Sequence, residues 1–323
     1  RPSLIARIGG LPDKPALCLT GHIDVVPLGA AEWSFDPFGG EIDRGKLLGR
    51  GSTDMKGGVA AIVSAAVALA GKLERTPGIE IVITADEETG TNGARMLAEQ
   101  RLLGRAGAMV VAEPTSNALW LGHKGVLRFE GLARGVTAHA SMPEAGDNAI
   151  YKAVRAIEAL QAFDFGVAAH PYLGSPTLNV GWVRGGMNVN SVPDRASFGV
   201  DIRVTPAVDL AALKERLRET VGRGIEVSFG TEAGSVWTEP DEAWILELRE
   251  MMAAPDGSVA EIGAAPYFAD AASLREGYGA IPTIILGPGE PRVAHQTDEF
   301  CYVERIEEAA ELYTAIIRRW CGV

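Results

Sequence analysis

Four stretches of this chain are apolar at nearly every position instead of at alternate ones, and each stops abruptly. They are Ala16–Thr20, Ile79–Ala85, Ala108–Ala112 and Pro282–Leu286. Short continuous apolar runs of this kind are how strands buried on both faces of a parallel sheet read. The first runs into Gly21-His22-Ile23-Asp24 and the second into Asp86-Glu87-Glu88-Thr89-Gly90. The third runs into Glu113-Pro114-Thr115 and the fourth into Gly287-Pro288-Gly289. Between and after them, 57–70, 93–99, 241–252 and 303–320 predict helices. Strands alternating with helices predict an α/β fold with a mainly parallel sheet. The Gly/Pro-rich excursion 33–49 predicts short strands at 41–42 and 46–48, and 267–273 reads as a polar turn.

The pattern changes in the middle of the chain. Val126–Ala133 alternates polar and apolar positions, as a half-exposed strand does. A helix over 148–163 follows, then strands over 177–182 and 196–204 separated by the turn 185–190. A helix over 210–221 and a strand over 225–229 complete the series. The order β-α-β-β-α-β is that of a ferredoxin-like sandwich. Residues 125–232 are therefore expected as an α+β domain inserted into an α/β domain made of 1–124 and 233–323.

Composition narrows the function classes. Of the 323 residues, 47% are apolar and 22% charged, as in an ordinary globular protein. The net charge of −12 argues against nucleic-acid binding, which needs a basic face. Three cysteines without CxxC spacing fit packing roles and a reducing, cytoplasmic setting. No apolar run reaches the ~18 residues of a membrane span. The chain opens on Arg1 inside what reads as an early strand, so a longer natural N-terminus is expected.

The polar strand ends and loops collect His22, Asp24, Asp54, Glu87, Glu88, Glu113 and His295. Imidazole and carboxylate together suit borderline cations such as Zn2+, Co2+ or Mn2+. Two His, two Glu and one shared Asp balance a pair of ions if Asp54, in Gly49-Arg50-Gly51-Ser52-Thr53-Asp54-Met55-Lys56-Gly57-Gly58, serves both. Asp24 lies two residues after His22 on the same strand face, where it can accept the second ring N–H. Of the adjacent Glu87 and Glu88, one can hold metal while the other acts as general base. Taken singly, each residue has an ordinary alternative. Asp54 can cap a helix, the glutamates can form a solvated turn, and His22 and His295 can be structural.

These residues resemble the M20 family of metallopeptidases, the acetylornithine deacetylase and succinyl-diaminopimelate desuccinylase group. The resemblance rests on Gly21–Pro27, Gly49–Gly58, Asp86–Gly90, Ala112–Thr115 and Ala294–Glu299, in the family's order across nearly the whole chain. It implies one divalent ion on His22, Asp54 and Glu113, another on Asp54, Glu88 and His295, and Glu87 as the base. It also implies a cis peptide after Asp54. The inserted domain resembles the family's lid and dimerisation domain, which implies a homodimer. His139 matches a lid histidine that stabilises the oxyanion and reaches the site of the partner subunit. Asn190 and Arg203 match substrate-binding residues, the Arg suiting a carboxylate, and Gly287 and Gly289 match a turn lining the substrate pocket. Two departures stand out. The family's N-terminal helical segment ahead of the first strand is absent from this sequence, and Phe268-Ala269-Asp270-Ala271 has Ala where the family has Thr before the Asp.

The resemblance implies a Zn2+-, Co2+- or Mn2+-dependent amidohydrolase that removes an N-acyl group from an amino acid, with an acetylornithine-deacetylase-like substrate favoured. A desuccinylase, or a dipeptidase or aminopeptidase on the same site, is the alternative. A binding protein that kept the fold is the non-enzymatic one. Neither a nucleic-acid nor a membrane partner is expected.

Overall fold

The computed structural model describes residues 1–11, 13–253 and 259–323. They form two compact units, one of Arg1–Gly122, Val236–Ala265 and Ala269–Val323, the other of His123–Ser235 with Pro266–Phe268. The seams fall at 122/123 and 235/236, where the sequence suggested 124/125 and 232/233, and three residues of a later loop join the second unit.

In chain order the first unit begins with β1 (Leu4–Ile8), β2 (Ala16–His22), β3 (Ile42–Asp43) and β4 (Lys46–Leu48). It continues with α1 (Gly57–Leu69), β5 (Ile79–Thr84), α2 (Asn92–Glu99), β6 (Ala106–Val111) and β7 (Leu119–His123). The second unit is β8 (Gly125–Arg134), α3 (Ala149–Gln161), β9 (Thr177–Gly185), β10 (Arg195–Val204), α4 (Leu210–Val221) and β11 (Ile225–Ala233). The chain then returns through β12 (Val236–Trp237), α5 (Ala243–Met251), β13 (Ile262–Ala265), α6 (Ala271–Tyr278), β14 (Thr283–Ile285), β15 (Phe300–Tyr302) and α7 (Val303–Cys321).

The large sheet of the first unit runs β1-β5-β2-β6-β14-β7-β12, with β13 beside β7. β5, β2, β6 and β14 run parallel to one another. These are the four apolar runs, buried on both faces as their sequences require. Their C-terminal ends therefore gather at one edge, which places His22, the Glu87–Glu88 turn and Glu113 together. Antiparallel pairings of β1 with β5 and of β7 with β14 make the sheet mixed at its flanks.

α1 packs against β2 and α7, with Ala61, Ile62, Ala65, Ala66 and Leu69 buried. By length and composition alone the stretch Ser52–Lys72 is long and apolar enough to cross a membrane, although it is not an uninterrupted apolar run. Half of it is buried inside this unit, as in a core helix, and its apolar character follows from packing on both sheet and helix.

Glycine at position 58 is set by this packing. A Cβ there would lie 2.4 Å from the Ala112 carbonyl oxygen, at the end of β6. Alanine is worth about 1 kcal/mol over glycine in a helix, but overpacking a rigid backbone contact costs about 1–3 kcal/mol. Gly58→Ala is expected to lower the thermal midpoint, by up to about 8 °C, at roughly 2–4 °C per kcal/mol for a unit of this size. A rise in the melting scan would show that α1 can slide away from β6.

The second unit has the antiparallel strand order β11-β8-β10-β9, with α3 and α4 over one face. This is the ferredoxin-like arrangement. Leu127, Phe129, Phe198, Val200 and Ile202 face the helices, while Arg128, Glu130 and Asp201 at the intervening positions do not join that core. Asn148 and Asp209 cap α3 and α4, accepting the N–H groups of Tyr151 and Ala212.

One expectation is corrected. The segment read as a polar turn, Tyr267–Ser273, contains the start of α6. The helix is only eight residues long and packs on α2, so tertiary contact and not its own pattern decides its state.

Candidate metal centre

His22 ends β2 and is almost fully buried. Its Nε2 lies 3.1 Å from Asp54 Oδ1 and 3.9 Å from Glu113 Oε1. His295 Nε2 lies 3.2 Å from Asp54 Oδ2 and 3.2 Å from Glu88 Oε1. Two groups of potential ligand atoms result, His22–Asp54–Glu113 and Asp54–Glu88–His295, each with its atoms within 4.8 Å of one another. Asp54 offers a different oxygen to each group.

Local backbone explains how one aspartate can do this. The turn Ser52–Lys56 precedes α1, and Asp54 (φ −125°, ψ 93°) leaves helical geometry inside it. The Asp54–Met55 peptide is cis. His295 has φ +64°, a left-handed conformation uncommon for a non-glycine residue. A left-handed non-glycine residue such as His295 persists where the surrounding structure over-determines it, and such residues cluster at functional sites.

The electrostatics describe a site with too many charges for its depth. Burial favours a neutral His22, but hydrogen bonding to Asp24 and Asp54 and the charge of Glu113 outweigh it and raise the ring well above the usual imidazole value. Hydrogen bonds to Asp54 and Glu88 push His295 up to about 10. Burial works against the charge on Asp54, yet its bonds to the two histidines hold it well below the usual carboxylate range. Burial, then the charges of Glu113 and Asp270, push Glu87 well above that range. Burial and the charge of Asp54 do the same to Glu113. The raised values at His22, His295, Glu87 and Glu113 all express an excess of negative groups in a buried space. A borderline divalent cation meets its needs with the same oxygen and imidazole donors. The residues present therefore fit the metal ions that the sequence suggested.

Asp24 lies against the second ring nitrogen of His22. The acceptor nearest His22 Nδ1 is the Asp24 main-chain oxygen at 3.0 Å, with the Asp24 carboxylate at 3.6 Å. That carboxylate also accepts the N–H groups of Glu87 and Glu88, each at 3.2 Å. It ties the end of β2 to the glutamate turn, and its pKa is lowered to about 2, hydrogen bonding and the His22 charge overcoming burial.

Comparison with known proteins follows this geometry. The model of peptidase family M20/M25/M40 matches residues 18–319. The chain belongs to this family. It is 30% identical to a probable succinyl-diaminopimelate desuccinylase of Staphylococcus epidermidis, over 99% of this chain and 87% of that protein. It is also 30% identical to an acetylornithine deacetylase of Proteus mirabilis, over 99% and 82%. Among solved structures, it resembles an M20 family metallo-carboxypeptidase from Sulfolobus solfataricus (TM-score 0.81, 19% identity, covering 100% and 88%). It also resembles a dinuclear metal binding peptidase of the family from Bacillus subtilis (TM-score 0.71, 19% identity, covering 99% and 85%).

Other residues of this M20 chain that the sequence singled out lie as follows. Gly287 and Gly289 pack against backbone. Their Cβ positions would fall 2.2 Å from the Ala112 oxygen and 2.2 Å from the Thr53 oxygen. Side chains there would push apart the loops bearing Glu113 and Asp54. In the second unit, His139 and Asn190 lie on adjoining loops, with Ala140 N–H donating to the Asn190 carbonyl at 3.0 Å. His139 is exposed, its Nδ1 2.7 Å from Ser141 Oγ. Arg203 donates through Nε to Asp201 at 2.7 Å and lies over the Phe268 ring. A substrate carboxylate would share that guanidinium with Asp201.

The sequence reading gave no role to Asp270, which is buried in the first unit. Thr84 Oγ1 donates to its Oδ2, and burial raises its pKa to about 6. Its charge adds to the raised pKa values of Glu87 and Glu113. The sequence pointed to it only as the Asp of Phe268-Ala269-Asp270-Ala271, the segment that departs from the family pattern.

Proposed function

We propose that this protein is a metal-dependent amidohydrolase that removes the acyl group from an N-acyl amino acid. The observation carrying the reading is Asp54, whose two oxygens serve two separate His–carboxylate groups. On this reading His22, Asp54 and Glu113 hold one divalent ion, and Asp54, Glu88 and His295 hold the other. Such ions supply Lewis acidity toward a carbonyl and a water acidic enough to deprotonate near neutrality.

Glu87 is left to act as general base. It is buried, has no ligand partner in either group, and its backbone is fixed by Asp24. It takes a proton from the attacking water and returns it to the departing amine. His139 keeps the oxyanion-stabilising role, and Asn190 and Arg203 the substrate-holding role, that the family resemblance gives them. A homodimer through the second unit and a cytoplasmic setting belong to the same reading.

The curated relatives support an acyl amino acid as substrate, under both acetyl and succinyl names. The acetylornithine-like choice rests on the Gly287-Pro288-Gly289 and Ala294-His295-Gln296 segments. The test is a panel of N-acetyl-amino acids, N-succinyl-amino acids, dipeptides and tripeptides, assayed with Zn2+, Co2+ or Mn2+ and with chelator. Expected is chelator-sensitive hydrolysis of an N-acyl amino acid at a kcat/KM at least ~10-fold above any peptide. Cleavage of peptides alone would replace the deacylase with a peptidase. Metal-independent turnover would overturn the whole reading.

A further inference from the structure

A second carboxylate lies directly behind Asp54, and neither ligation nor proton transfer uses it. Glu299 is completely buried. Its Oε1 accepts the N–H groups of Thr53 at 2.9 Å and Asp54 at 3.1 Å. Its Oε2 accepts the N–H of Gly51 at 3.0 Å and Nη1 of Arg50 at 2.6 Å. Its own main-chain oxygen accepts the N–H of Gly49 at 3.0 Å. Five donors from residues 49–54 therefore converge on one residue about 245 positions away in sequence.

The same region of chain grips the turn again. Thr53 Oγ1 donates to the Phe300 carbonyl at 2.7 Å and accepts the Glu290 N–H at 2.9 Å. Arg50 is buried between Glu299 and the Trp33 ring, and its Nη2 lies 3.5 Å from the His295 carbonyl. His295 stands between these anchor points, four residues before Glu299. The segment that carries one ligand thus fixes the backbone of the ligand common to both groups.

We propose that Glu299, with Arg50 as its counter-ion, is a positioning residue for the dinuclear centre. It holds the Gly51–Asp54 backbone so that Asp54 presents one oxygen to His22 and Glu113 and the other to His295 and Glu88. A carboxylate suits this task because its two oxygens together accept four donors in diverging directions. Charge-assisted bonds of this kind are shorter and stronger than neutral ones. Glutamine cannot do the same, since its NH2 group would face N–H donors on one side. The inference rests on the metal-centre reading and goes beyond it, because Glu299 touches neither ion nor substrate.

The experiment measures Zn2+ binding to metal-free protein by competition with a chromophoric chelator, for the parent and for Glu299→Gln. Residues that orient ligands from behind typically change metal affinity 10–100-fold when lost. Glu299→Gln is expected to weaken both ions by about that factor together, whereas Glu113→Gln should weaken mainly one. Parent-like affinity at both sites in Glu299→Gln, even with a lowered thermal midpoint, would reduce Glu299 to a structural residue and overturn the proposal. If Glu299→Gln does not fold, the double variant Arg50→Gln/Glu299→Gln removes both buried charges at once. The same two outcomes then decide. A parent protein that takes up no Zn2+ would instead refute the metal-centre reading itself, and is thereby told apart.

Discussion

Asp54→Ala will strip both metal ions from the protein and with them all measurable hydrolysis. Each group of ligands would be left with one imidazole and one glutamate, too few donors for tight binding in water. The loss of Lewis-acid assistance is worth several kcal/mol of transition-state stabilisation. At about 1.4 kcal/mol per tenfold, activity should fall by about 10^3-fold or more. Elemental analysis after dialysis provides the check, alongside assays at saturating Zn2+. Glu88→Ala and Glu113→Ala should each lose mainly the ion on their own side. Retention of either ion at parent affinity in Asp54→Ala would mean that the aspartate is not shared. Because Asp54 also bonds both histidines in the metal-free protein, circular dichroism of Asp54→Ala separates loss of metal from loss of fold.

The second large effect belongs to Glu87. Glu87→Gln keeps the shape of the side chain and the N–H bond to Asp24 but removes the proton acceptor. A positioned general base contributes about 10^2–10^4-fold, so kcat should drop by that factor with KM and metal content little changed. In the metal-free protein, burial and the charges of Glu113 and Asp270 hold Glu87 well above the usual carboxylate range. Cations beside it oppose that shift and favour its charged, basic form. Activity should therefore fall as pH drops through the Glu87 pKa in the parent, and this acid limb should be missing in the variant. An unchanged kcat, or a parent-like acid limb in Glu87→Gln, would assign the base elsewhere.

How much of this was legible beforehand varies by residue. The strands β2, β5, β6 and β14 could be read because a strand buried on both faces must be apolar throughout, and a parallel sheet aligns their ends. The ferredoxin-like unit could be read because one face of its sheet packs on helices, so β8 and β10 alternate. The strands β7, β12, β13 and β15 were not read, being two to five residues long and fixed by pairing alone. α6 was misread for the same reason, since its short span carries little pattern.

The ligand candidates stood out as acids and imidazoles at strand ends, whereas Glu299 and Asp270 entered only as members of segments compared with the family, with no role attached to either. Glu299 gains its place from amides nearly 250 residues away. Asp24 was expected to serve the His22 ring; it meets that ring with its main-chain oxygen as well as its carboxylate, and also binds the amides of Glu87 and Glu88. Arg203 was matched to a substrate carboxylate and is found already paired with Asp201.

The sequence alone determined the two kinds of unit, the strands that end in chemistry and the set of side chains able to hold a cation. Those properties are local, written in periodicity and in residue type at element ends. Tertiary structure alone decided that Asp54 turns one oxygen toward each histidine, and what holds it there. That outcome depends on hydrogen bonds between segments far apart in the chain, whose partners no local pattern can name.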